Sequence, residues 1–205
     1  RCREDGGREL LASASAHTRL THSQTLMPMV GDMLKNAGLT MDDVDVLAVS
    51  AGPGSFTGVR IGVAAVKGLA FPRNLPCAGV STLAAMARNV QGLPFSGWVL
   101  GAMDARCRQV YTALFRCEDG RLTRLTPDEA LTLDHLGDRL KNQEDFAGKS
   151  ILVVGDGAEL CYNTLKETVP GLRLMPEALR YQQGIGVALE AADLAASGGL
   201  VPAER

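Results

Sequence analysis

Aromatic residues are scarce in this chain of 205 residues, at 4%. That scarcity argues against the stacked aromatic platforms on which single-stranded nucleic acid is held. Neither sign of charge dominates. The formal net charge is −2, so no overall basic field advertises nucleic acid, and any RNA contact is local or comes through a partner. No apolar run approaches the roughly 18 residues of a membrane span. No signal-peptide pattern opens the chain, although it begins at Arg1, which leaves a cleaved leader open. No Cys-x-x-Cys occurs among Cys2, Cys77, Cys107, Cys117 and Cys161, which excludes zinc knuckles and thioredoxin motifs. Five scattered cysteines read as reduced thiols of a cytoplasmic protein without membrane contact.

What is present is an ordinary globular composition, with 46% hydrophobic and 21% charged residues. Strands alternate with helices. Residues 10–16 read as the tail of a strand and 23–37 as a helix closed by Gly38. Residues 44–50 read as a strand, and a helix follows with Thr57 as its N-cap, running to Phe71 before Pro72. Another strand covers 75–80, and Ser81 caps a helix over 83–90. In the second half, residues 98–104 and 109–115 pair as a hairpin. A helix at 133–143, a strand at 150–155 and helices at 159–168 and 185–197 complete the pattern. This order predicts an α/β fold with mixed sheets flanked by helices. It also predicts two halves, an N-terminal lobe over 1–95 and a C-terminal lobe over 96–205. A short echo supports a duplication: residues 1–10 resemble 116–122, each an Asp-Gly turn with charged flanks.

The loop Ala51-Gly52-Pro53-Gly54-Ser55-Phe56-Thr57-Gly58 lies between a strand and a helix, where phosphate can sit. It is no Walker A loop, since Val59 and Arg60 follow Gly58. It is no dinucleotide fingerprint, since Thr57 stands where glycine is needed and no acid follows about 20 residues on. Ser55 lacks the flanking glycines of a nucleophile elbow. Two readings stay open for Gly52, Gly54, Ser55, Thr57 and Gly58: a turn for close packing, or a phosphate, nucleotide or partner contact. His17, His22 and His135 are not at metal-ligand spacing. Asp104, near a strand end and two residues before Arg106, either lies at the cleft, where it can hold a metal or orient water, or is a local ion pair or turn former.

The first helix carries Leu26, Met27, Met29, Val30, Met33, Leu34 and Ala37, a stripe about 160° wide, with Pro28 expected to bend its first turns. The second carries Val59, Ile61, Val63, Ala64, Ala65, Val66, Leu69, Ala70 and Phe71, with Arg60 and Lys67 as its only charges. Gly58, Gly62, Ala65 and Gly68 offer small surfaces. Such a helix needs cover on more than one side, from its own fold or from a protein partner.

Several segments occur in order: His22-Ser23-Gln24, then 52–62 (Gly-Pro-Gly-Ser-Phe-Thr-Gly-Val-Arg-Ile-Gly), then Gly79-Val80-Ser81-Thr82-Leu83, then Met103-Asp104-Ala105-Arg106 with Gln109-Val110-Tyr111. Together they resemble the bacterial TsaB family, also called YeaZ. The resemblance implies a two-lobed actin/Hsp70/sugar-kinase-like fold from duplicated halves. It also implies that the first strand, with its Asp-Thr segment, and a C-terminal strand beyond Pro202 are missing from this chain. It implies a part in making threonylcarbamoyladenosine at the tRNA adenosine beside the anticodon. In that pathway the catalyst is a paralogue, TsaD, assisted by an ATPase, TsaE, and TsaB is the non-catalytic activator. The paralogue has a His-x-x-x-His metal pair after a Gly-Val-Asn segment; aligned on Gly79-Val80-Ser81, those positions hold Thr82 and Met86, which cannot replace imidazoles. The resemblance therefore implies no catalytic residue, no metal and no cofactor, with ATP used on partner subunits. The expected partners are a TsaD-like paralogue and a TsaE-like ATPase, a second copy when the chain is alone, and tRNA only through the complex. Met29, Val30, Met33, Val59, Val63, Val66 and Ala70 are the expected contact residues. The competing expectations are a phosphotransferase of the same fold, like a sugar or acetate kinase, and a plain homodimeric module.

Overall fold

The computed structural model describes residues 1–3, 5–16, 22–142 and 149–204, with His22 described by its backbone alone. It has the α/β organisation expected from the sequence, in two compact units. One comprises Arg1–Val80 and Gln183–Arg205, the other Ser81–Gln182. This division differs from the expected one at 95/96. The helix capped by Ser81 packs on the sheet of the second unit, and the last helix returns to the first. Among the described residues, no helix is long and apolar enough to cross a membrane.

The second unit is built on a long hairpin, β3 (Gly97–Arg106) and β4 (Gln109–Glu118), paired antiparallel from Gly97↔Cys117. A turn through Asp119 (φ 50°) and Gly120 (φ 72°) leads to β5 (Arg121–Arg124). Positive φ at both central residues suits the right-handed twist of the flanking strands. On the far side β3 pairs parallel with β7 (Ile151–Val154), which pairs parallel with β8 (Leu172–Leu174). β6 (Glu129–Thr132) joins β4. The apolar runs of β3 and β7 are explained by cover on both faces. One face takes Leu133, Leu136 and Leu140 of α4 (Leu133–Asn142) with Cys161 and Leu165 of α5 (Ala158–Leu165). The other takes Leu83 and Met86 of α3 (Thr82–Ala87), packed with Val99 and Phe115. Each fully buried aliphatic side chain contributes about 1.5–3 kcal/mol. As expected, Ser81 caps α3, its hydroxyl accepting from the N–H of Ala84 at 3.1 Å. A short helix α6 (Glu177–Arg180) follows β8. The last residue of the expected helix at 133–143, Gln143, lies outside the described residues.

In the first unit α1 (His22–Asn36) continues through Pro28. Gly38, at φ 68°, closes it: Leu39 N–H donates to Leu34 C=O and Gly38 N–H to Lys35 C=O. A two-stranded sheet joins β1 (Leu47–Gly52) and β2 (Cys77–Ser81). Between them α2 (Phe56–Ala70) packs on β1. Gly62 permits that approach, since a Cβ there would lie 3.0 Å from Val49 Cγ2. From the chain's end, α7 (Gly184–Ala196) also packs on β1. Val201 bridges Cys77, and Ala203 joins Ala70 and Cys77 in a small core.

Residues 10–16, expected as a strand tail, form none. The first copy of the echo does turn back on itself: Cys2 and Arg8 form an antiparallel bridge, with Arg3 N–H donating to Gly7 C=O at 2.8 Å.

Candidate functional site

The glycine-rich loop follows β1 through a cis Gly52–Pro53 bond. The helix it leads into starts two residues earlier than expected. Ser55, not Thr57, is the N-cap of α2: its Oγ accepts from Gly58 N–H at 3.4 Å, and Val59 N–H donates to its carbonyl at 2.9 Å. Several glycines here serve close packing. A Cβ at Gly54 would meet Val59 Cγ2 at 3.2 Å, and one at Gly79 would meet Ala51 Cβ at 3.4 Å. Gly52, Gly54, Ser55, Thr57 and Gly58 are thus gathered at one helix terminus, with the serine hydroxyl already engaged. Phe56 is 70% exposed, and the Arg60 guanidinium lies 3.9 Å from its ring centroid.

The two apolar helices lie against each other in the first unit. On α1, Met29, Val30 and Met33 are half-buried and Met27 is 44% exposed. On α2, Val59, Ile61, Val63, Val66 and Leu69 are all half-buried. Of the 15 residues of α2 only Ala70 is buried, at 0% exposure. Ala70 therefore does not belong to an outer face; it turns inward onto Cys77 and Ala203, and its place among contact residues is corrected. Met29 and Met33 also line a groove of about 340 Å³ along residues 11–14. An apolar helix that its own unit covers so incompletely leaves hydrocarbon in water.

Asp104 and Arg106 stand in the other unit. Asp104 is exposed, and its Oδ1 accepts the N–H of Arg106 at 2.7 Å. Among the described residues the two side chains form no ion pair; the local role is that of a turn former, a side-chain-to-backbone bond shaping the end of β3. Arg106 (φ 65°), Cys107 (φ 51°) and Arg108 (φ 58°) then run in the left-handed region. Beneath, Cys161 is buried, and its thiol is pushed up to about 12, first by burial and then by the Asp104 carboxylate.

Asp156 escaped the sequence reading. Its Oδ1 lies 3.4 Å from Asp104 N–H, in the Gly155-Asp156-Gly157 turn between β7 and α5. The available signal was that Gly-Asp-Gly, set between an apolar strand and a helix. The turn is packed hard on β3: a Cβ on Gly155 would fall 2.0 Å from Ala102 O, and one on Gly157 2.8 Å from Asp104 N. Arg180 fastens it from outside. This buried arginine binds Glu159 and Met175 C=O, while its own carbonyl accepts from Gly155 N–H at 2.7 Å. Thr82 and Met86, the positions aligned with the paralogue's histidines, are buried in α3. Among the described residues no three or more His, Cys, Asp or Glu cluster as a metal site. His17 and the side chain of His22 lie outside the described residues. His135 sits exposed in the first turn of α4.

A family model described as TsaD, tRNA N6-adenosine threonylcarbamoyltransferase, matches residues 14–202. The chain is 33% identical over 151 residues to the tRNA threonylcarbamoyladenosine biosynthesis protein TsaB of Bacillus subtilis, covering 74% of this chain and 63% of that protein. It is 42% identical over 110 residues to the TsaB of Escherichia coli, covering 52% of this chain and 48% of the relative. The matched segments thus span less than two thirds of these relatives' length. A crystal structure from Pseudomonas aeruginosa, described as an uncharacterized protein with similarity to peptidase YEAZ, superposes with a TM-score of 0.75 at 31% identity. That match covers 91% of this chain and 82% of that one. The likeness fits the actin/Hsp70/sugar-kinase-like fold class.

Proposed function

The chain belongs to the TsaB/YeaZ family, and we propose that it is the non-catalytic activator of threonylcarbamoyl transfer to the tRNA adenosine beside the anticodon. It acts by pairing with a TsaD-like catalytic paralogue, together with a TsaE-like ATPase, in the cytoplasm. ATP is used on those partners, and this chain carries no cofactor of its own. Ser55 is occupied as a helix cap, which supports reading it as structural rather than as a protease nucleophile.

One observation carries the reading. α2 is apolar nearly all round, yet only Ala70 of its residues is buried within the chain. Met29, Val30, Met33, Val59, Val63 and Val66 then supply a face that a paralogue with a similar helix pair covers. When the chain is alone, a second copy covers it about a two-fold axis. Asp104 supports the assembly by shaping the β3 end, so Asp104→Ala lowers activity of the reconstituted complex while the fold persists.

The test is a pull-down from the native host. The wild-type chain brings down the TsaD-like subunit, and Val63→Arg and Met29→Arg do not, because a charge buried there without a partner costs several kcal/mol. Equal recovery with those variants would place the interface elsewhere.

A further inference from the structure

The tip of the β3–β4 hairpin, whose β3 end Asp104 shapes, carries two arginines that are no part of the α1–α2 face. Arg106, Cys107 and Arg108 occupy the left-handed region one after another. That region is disfavoured for such residues, because Cβ crowds the following carbonyl. At Cys107 and Arg108, the two-residue loop of the hairpin, positive φ suits the twist of the strands, and Arg106 extends it at the register shift. Asp104 Oδ1 holds Arg106 N–H, the strand register slips between Asp104 and Arg106, and Leu133 N–H donates to Arg108 C=O at 3.1 Å. The backbone is thus fixed while the side chains stay outside. Arg106, Cys107 and Arg108 are all exposed, and among the described residues neither guanidinium has an ion pair or hydrogen bond. β3 runs on from Ala102 to Arg106 without pairing to β7.

Next along β4, Gln109 and Tyr111 are exposed and lie two apart, hence on one face of the strand. Tyr111 is 36% exposed, one of the few aromatics of the chain at the surface. Two unpaired guanidiniums beside an amide and a phenol ring match the chemistry of an RNA backbone with an adjacent unstacked base. A hairpin tip is convex, which suits the surface of a polyanion better than the enclosure of a free nucleotide.

We propose that the hairpin tip, through Arg106 and Arg108 with Gln109 and Tyr111, touches the phosphate backbone of the tRNA while the chain is held in its complex. The chain is then a direct RNA contact as well as a partner of the transferase, an inference that rests on the proposed function. The contact is local, as a net charge of −2 requires.

The test uses the complex reconstituted from this chain and its TsaD-like paralogue, with labelled tRNA titrated at several salt concentrations. The double variant Arg106→Gln, Arg108→Gln weakens tRNA binding about tenfold and lowers the salt slope by about 2, one for each phosphate that is no longer neutralised. The variant Arg106→Lys, Arg108→Lys keeps the charge and restores most of the affinity. Arg116→Gln with Arg121→Gln, which removes equal charge at the other end of the strand pair, leaves binding unchanged. Pairing is checked in the same samples by co-elution. Intact pairing with unaltered tRNA affinity in the tip variant overturns this inference alone, as does an equal loss in the Arg116 and Arg121 variant. If the wild-type chain does not co-elute with the paralogue, the proposed function fails and this inference falls with it.

Discussion

Cys161 shows how much one buried group reports. Its thiol, ordinarily near 9.0, is pushed up to about 12 by burial and by Asp104. Between those values the unfolded chain holds fewer protons than the folded one, so stability falls as pH rises from about 9 and is indifferent to this group below it. Burial also raises Cys77 and Cys117, which act in the same direction. The thermal midpoint should therefore decline above about pH 9, and Cys161→Ala, though less stable, should decline less steeply. In the native protein Cys2 and Cys107 should react with a thiol reagent, and Cys77, Cys117 and Cys161 only on unfolding. A fast third thiol would contradict the packing. The glycines give a second comparison. Gly92 (φ 82°) has open space around its missing Cβ, whereas Gly155 (φ 108°) faces Ala102 O. Gly92→Ala should cost about 1–2 kcal/mol, the left-handed penalty alone. Gly155→Ala should cost about 3 kcal/mol or more, because backbone must also move. Equal denaturation midpoints for the two variants would refute the close approach.

Elements differ in how plainly they are written in the chain. The β3–β4 hairpin was legible from two apolar runs, the turn after β4 from Asp119-Gly120, and α1 from its stripe and Gly38. β6, β8 and α6 were not, because segments so short show no period. β8 exists through its pairing with β7, which joins residues as far apart in the chain as Ile151 and Leu172. Residues 10–16 show the converse: a strand-like segment that pairs with neither β1 nor β2 stays irregular. Ser55 and Thr57 both carry capping hydroxyls, and only the backbone path after Pro53 selects the first. On α2 the apolar residues run all round, so periodicity could not separate Ala70, which is buried, from Val63, which is half-buried. That separation is testable. Ala70→Arg should collapse the cooperative melt, at a cost of about 3–5 kcal/mol for an unpaired buried charge. Val63→Arg should shift stability by less than about 1 kcal/mol and leave the melt cooperative. A collapse with Val63→Arg would mean that α2 is covered by its own unit after all.

For the whole molecule, an actin/Hsp70/sugar-kinase-like fold belongs to a chain whose proposed work is to be a surface. Thr82 and Met86 lie buried in α3, and the loop before α2 spends its serine on a cap. Mixed alone with ATP and small alcohol or carboxylate substrates, the chain should release no phosphorylated product above the buffer rate; sustained turnover would favour the phosphotransferase reading. The central claim is that the α1–α2 face binds the catalytic paralogue. Isothermal titration of the purified TsaD-like subunit with this chain measures it most directly. Wild-type protein should bind with one-to-one stoichiometry, and Val63→Arg and Met29→Arg, still folded by their melts, should bind at least about 100-fold more weakly. Wild-type affinity in both variants, or no heat from the wild-type chain, would contradict the account.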